Sequence, residues 1–121
     1  MPAIAVDFDG VIHTYDQGWH DGTIYGGWLP GADTGIRHLM SLYPVFILTS
    51  RNPVQVARWI QETSRIPCVT DFSEKSRFWN RRGILLVTDR KLPAFAYLDD
   101  RAVRFTSWDT VLENPPEPGR K

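Results

Sequence analysis

Four short apolar runs constrain this chain more than any other feature. Residues 4–8, 45–49, 84–87 and 95–98 are each four or five residues long, and each stops at a charged, hydroxyl-bearing or acidic position. Runs of that length fit strands buried on both faces. They fall far short of the ~20 residues needed to cross a bilayer, so no membrane-spanning segment is expected. The stretches between them carry helical periodicity. Strands alternating with helices predict a three-layer, Rossmann-like α/β fold, a mostly parallel sheet with helices on both faces.

The intervening segments refine this reading. Ile36, Leu39, Met40 and Tyr43 lie at helical spacing, and Pro44 stops that helix. Asn52-Pro53 has the grammar of a helix start, with Val56, Trp59 and Ile60 as the inner face. Pro67-Cys68-Val69 reads as a short strand, 73–82 as a helix capped by Gly83, and 103–105 as a further strand. Trp108, Val111 and Leu112 suggest a last short helix. Trp59, Trp79 and Trp108 are expected in the core. Asp21-Gly22 between Trp19-His20 and Thr23-Ile24-Tyr25 predicts a hairpin turn, so residues 12–30 read as a small β-hairpin flap. With 121 residues the chain holds one domain, 1–113, followed by a proline-rich flexible tail, 114–121.

Charge and cysteine content narrow the function. Lys+Arg and Asp+Glu are both 14, which argues against a domain built mainly to coat nucleic acid. A single cysteine, Cys68, excludes an internal disulfide and a cysteine-rich metal site; it reads as a small buried hydrophobe. The N-terminus shows no charged leader ahead of a long apolar stretch, so a cytoplasmic, reducing location is expected.

The chemistry gathers where the strands end. The first run ends Asp7-Phe8-Asp9-Gly10, the second Thr49-Ser50-Arg51, and a later one Asp99-Asp100-Arg101, with Lys91 just before it. In a parallel sheet these ends share one edge, where ligands bind. Crowded carboxylates there imply a cation, and an oxygen-only ligand set favours Mg²⁺. Lys91 and the Thr49 hydroxyl are placed to hold the remaining charge of a phosphoryl group.

In this order and spacing, Asp7-Phe8-Asp9-Gly10, Thr49, Lys91 and Asp99-Asp100 resemble the four motifs of the haloacid dehalogenase superfamily, across residues 4 to about 105. The resemblance implies that Asp7 is the nucleophile forming an aspartyl phosphate and Asp9 the general acid and base. It implies Mg²⁺ bound through the Asp7 side chain, the Asp9 backbone carbonyl and Asp100, with Asp99 in support. Thr49 would hydrogen-bond the phosphoryl oxygens, with Ser50 as the alternative hydroxyl. Lys91 would neutralise Asp7 and the transferred group, with Lys75 as the alternative lysine. Arg51 and Arg101 either touch phosphate or pair with carboxylates. The chain departs from many family phosphatases at Val11, where they carry threonine.

Residues 13–30 leave no room for a cap domain, so the site is expected to be open, reachable by a bulky substrate or lidded by an oligomer neighbour. His13, Tyr15, Trp19, His20, Tyr25 and Trp28 crowd the flap. They either stack on a base or sugar or pack the flap onto the core or a second copy. His13 and His20 lack the spacing of metal ligands, and His38 reads as structural or solvated. The reading that follows is a Mg²⁺-dependent phosphomonoesterase. Its substrate is a phosphorylated small molecule or nucleotide, or the phosphate end of a nucleic acid. The alternatives are a phosphate- or nucleotide-binding protein on the same scaffold and a subunit whose partner supplies specificity.

Overall fold

The computed structural model describes residues 2–19, 21–70 and 77–117. Its centre is a five-stranded, all-parallel sheet in the order β3-β4-β2-β1-β5. β1 is Ile4–Asp7, β2 Val45–Leu48, β3 Cys68–Val69, β4 Leu85–Thr88 and β5 Ala96–Leu98. β1 pairs with β2 from Ile4 opposite Val45 to Asp7 opposite Leu48, and with β5 from Ile4 opposite Ala96 to Val6 opposite Leu98. β2 pairs with β4, and β4 with the two-residue β3. Asp7, the residue after β2 and the residue after β5 therefore share the sheet's carboxyl edge.

Two helices follow their sequence signals. Helix α1, Ala32–Leu42, starts after the left-handed Gly31 (φ 83°) and buries Ile36 and Met40, one turn apart. Pro44 follows its extended C-cap, Tyr43, because the residue before a proline is pushed out of the helical region. Helix α2, Pro53–Ser64, is capped by Asn52, whose side chain accepts the Val54 N–H at 2.9 Å, and it buries Val56, Ala57 and Ile60. Neither helix is long and apolar enough to cross a membrane, and the same holds for every helix among the described residues.

The layers differ from the sequence reading. α1 and α2 pack on the same face, against Ile4, Val6, Val45, Ile47, Leu85 and Val87. The other face presents Ala5, Phe46 and Leu86, which are covered by Ala3, Trp79 and Leu92 from non-helical segments. Among the described residues, helices thus cover one face only.

Two element expectations are corrected. Of the helix expected over 73–82, residues 73–76 lie outside the described residues and Arg77–Arg82 form no helix. Residues 103–105 pair with no strand among the described residues, and Val103 and Phe105 are 67% and 57% exposed. The described residues of the flap carry no named strand, although Thr14 and Leu29 donate their N–H groups across its base to the Gly27 and Ile12 carbonyls. Gly22 (φ 86°) closes a turn by donating its N–H to the Trp19 carbonyl, and isolated bridges join His13 to Asp9 and to Trp28. The last short helix exists as α3, Trp108–Glu113, capped by Ser107, but it buries no residue. Trp108 is 69% exposed, whereas Trp79 is 5% exposed. Residues 114–117 of the expected tail are exposed and irregular; residues 118–121 lie outside the described residues.

Candidate active site

Asp7 closes β1, and the next turn is made by Gly10. At φ 83°, Gly10 takes a backbone conformation open chiefly to glycine and donates its N–H to the His13 carbonyl at 2.8 Å. Ile12 and His13 both donate their N–H groups to the Phe8 carbonyl at 2.9 Å. The chain therefore coils back on itself after β1. The His13 ring lies flat on Phe8, with centroids 5.3 Å apart and planes 8° apart.

The structure divides the four aspartates into two groups. Carboxylate oxygens of Asp7, Asp99 and Asp100 all lie within 4.8 Å of one another. Asp7 is partly buried and accepts the Phe8 N–H at 2.9 Å; Asp99 and Asp100 are exposed, and Asp99 accepts the Arg101 N–H at 2.7 Å. Burial, then the charge of Asp99, pushes the Asp7 carboxyl up to about 6; Asp9 adds to the rise, while the Phe8 N–H and Arg101 oppose it. Three hard oxygen donors at that separation fit one divalent cation of the Mg²⁺ or Ca²⁺ type.

Asp9 points elsewhere. Its Oδ2 takes the Arg51 Nε–H at 2.8 Å, and its Oδ1 lies 3.1 Å from the same donor and 2.8 Å from His13 Nδ1. The Asp9 carboxylate is therefore separate from the three-carboxylate group, and only its backbone carbonyl remains as the ligand implied by the sequence resemblance. Arg51 is 1% exposed and His13 2% exposed. Arg51 continues to the loop, donating from Nη1 to the Gly22 carbonyl at 2.7 Å, and its guanidinium carbon lies 4.7 Å from the Trp19 ring centroid and 5.6 Å from that of Tyr15.

Thr49 and Ser50 follow β2 on the same edge, whereas the contact recorded for Lys91 is with Tyr97 in mid-β5 and not with Asp7. Thr49 is buried, donates its N–H to the Thr88 carbonyl at 3.0 Å, and accepts the Arg51 N–H on Oγ1 at 3.0 Å. Ser50 is exposed. Lys91 is exposed, with its Nζ 5.2 Å from the Tyr97 ring centroid on β5. Lys75, the alternative lysine, lies outside the described residues. The Arg101 guanidinium carbon stands 5.8 Å from the Tyr15 ring centroid, so Tyr15 lies between two arginines.

Several flap aromatics are already engaged. Trp28 stacks on Trp59 at 5.2 Å and donates its indole N–H to Thr63 at 2.7 Å, tying the loop to α2. Tyr25 donates its hydroxyl to Asp21 at 2.9 Å. His20 lies outside the described residues, and His38 is exposed on α1. Burial pushes the Cys68 thiol up to about 12, consistent with an inert side chain.

Sequence reasoning missed the part played by His13, which it placed among the flap aromatics. A signal existed in the four-residue spacing between Asp9 and His13, but reading it required the coil at Gly10. Compared with family models, curated proteins and solved structures, the chain matches none.

Proposed function

We propose that this chain is a metal-dependent phosphohydrolase of haloacid dehalogenase type, acting on a phosphomonoester through an aspartyl phosphate, with no cap domain and with the loop of residues 14–28 beside its site. The observation that carries the reading is the meeting of Asp7, at the end of β1, with Asp99 and Asp100, just beyond the end of the neighbouring β5. Those three carboxylates would hold the divalent cation, and when bound it supplies positive charge for Asp7 and for a phosphoryl group.

The chain's own residues account for the remaining steps. An Asp7 carboxylate oxygen forms a bond to phosphorus as the ester P–O bond breaks. Asp9, whose oxygens here accept from Arg51 and His13, would first take up a proton from solvent, give it to the leaving oxygen, and then take one from the water that hydrolyses the acyl phosphate. The Thr49 Oγ1 accepts from the Arg51 backbone, which leaves its own proton for a phosphoryl oxygen. Lys91 adds charge from the β5 side. Such a reaction needs mainly positioning and charge stabilisation, which the shared sheet edge provides. The exposed Asp99 and Asp100 leave the edge accessible, which suits nucleotides as the first substrates to try. A free thiol and the absence of any disulfide partner fit a reducing compartment such as the cytoplasm.

The test is release of inorganic phosphate from an aryl phosphate and a nucleotide panel, with Mg²⁺ and with chelator. The expected result is turnover that requires the metal and is abolished in Asp7→Asn, because an amide cannot form the acyl phosphate. Full activity in Asp7→Asn would remove the nucleophile assignment. Tight binding of nucleotides without release would favour a binding protein.

A further inference from the structure

Asp9 is held by two buried side chains, and each reaches on to the same loop. His13 contacts Asp9 through Nδ1 at 2.8 Å and receives the Gly26 N–H on Nε2 at 2.8 Å. Since Nε2 accepts, the proton of the neutral ring sits on Nδ1, and His13 donates to Asp9. Arg51 donates to Asp9 from Nε and to the Gly22 carbonyl from Nη1. The approach at Gly26 is close: a Cβ there would stand 2.8 Å from His13 Nε2 and 2.1 Å from Thr14 Oγ1. Only glycine lets the loop backbone reach the imidazole.

We infer that His13 and Arg51 are positioning residues that fix the orientation of the Asp9 carboxylate. The inference rests on the proposed hydrolase reading and deepens it. Stability alone gives a poor account of the arrangement. Taking a guanidinium and a carboxylate out of water costs several kcal/mol per ion, and apolar packing of similar volume often serves a fold as well. Arg51 Nη2 is buried and has no hydrogen-bond partner, which adds to that cost. The pair does supply direction. Arg51 and His13 together engage both Asp9 oxygens, which holds the carboxylate in one orientation.

Two substitutions separate the two hydrogen bonds of His13. In His13→Asn the Nδ2 amide occupies the place of Nδ1 and keeps the donor to Asp9, while the Gly26 N–H loses its acceptor. In His13→Gln the Oε1 occupies the place of Nε2 and keeps the acceptor for Gly26, while Asp9 loses its donor. The expected result, in the phosphate-release assay, is that His13→Gln lowers kcat by about tenfold or more with KM within about twofold. His13→Asn should rescue kcat relative to His13→Gln despite a lower melting temperature. A purely structural His13 would reverse that order, with His13→Gln near wild type and His13→Asn impaired, and that result overturns the inference. Nitrogen NMR of the imidazole gives a second readout that needs no turnover. It should show a neutral ring protonated at Nδ1 whose resonance moves in Asp9→Asn; an Nε2-protonated ring, or no movement, overturns the inference. A wild-type protein without phosphatase activity overturns the proposed hydrolase instead, and the nitrogen spectrum then decides the role of His13.

Discussion

At the scale of single residues, the most telling group is Asp7. Its carboxyl is pushed from the ordinary value of 3.8 to about 6, first by burial and then by Asp99. Between about pH 4 and pH 6 the metal-free folded chain keeps a proton on Asp7 that the unfolded chain has released. Raising the pH through that window therefore takes stability away, and above it the loss is complete. A shift of two units corresponds to about 3 kcal/mol, and solvent screening of a partly exposed group reduces this to about 1–2 kcal/mol. Urea melts in chelator should show Asp7→Asn gaining on the wild type by that amount as the pH rises from 4 to 7. Added Mg²⁺ at pH 7 should stabilise the wild type and leave the variant nearly unchanged. A constant difference between the two proteins across the window would refute the burial argument. The aspartates themselves were legible in the sequence, because each sits where an apolar run ends. That Arg51 pairs with a carboxylate was one of two readings; that the carboxylate is Asp9, and that His13 joins it, was not legible. Arg51 comes from 42 positions away, and the direction in which a side chain leaves a loop follows no periodicity.

Among the elements, legibility followed burial. β1, β2, β4 and β5 were readable as apolar runs, and α2 as a cap followed by proline and an inner face. The errors fell where apolar residues lack a surface to pack on. Residues 103–105 alternate like a strand, yet a strand needs a neighbour with free backbone groups, and this segment pairs with none among the described residues. The Asp21-Gly22 signal was real as a turn, and the loop around it is anchored by His13, Arg51 and Trp28. Tryptophan shows the difference in energy. Trp79 packs on the sheet face that bears Ala5, Phe46 and Leu86, whereas Trp108 touches Phe105 at 5.4 Å and otherwise faces solvent. Trp79→Ala should cost about 3–5 kcal/mol in denaturant melts, in the range for buried aromatics. Trp108→Ala should stay within about 0.5 kcal/mol, as an exposed substitution does. Comparable losses at both positions would mean that α3 is packed in solution.

On the scale of the whole molecule, the sheet joins a stable centre to a site that leans on its margin. β2 lies between β1 and β4, and those strands hold the fully buried Phe46, Ile47, Leu85, Leu86 and Val87. β5 is the outermost strand on the other side, three residues long and largely exposed, yet Asp99 and Asp100 follow directly from it. Local opening is easiest where few apolar contacts must break, so β5 should open far more often than β2 or β4. Two of the three carboxylates proposed to hold a cation therefore depend on a short, exposed edge strand. A cation bound to Asp7, Asp99 and Asp100 would tie the end of β5 to the end of β1 and suppress that opening. Hydrogen exchange read by mass spectrometry should show residues 95–101 exchanging well before residues 45–48 and 85–88 in chelator. Adding Mg²⁺ should slow 95–101 selectively, and Asp100→Asn should remove much of the slowing without altering exchange in β2. If Mg²⁺ left 95–101 unchanged at concentrations that support turnover, the cation would have to sit elsewhere, and the reading of the sheet edge as a metal-dependent phosphoryl site would lose its basis.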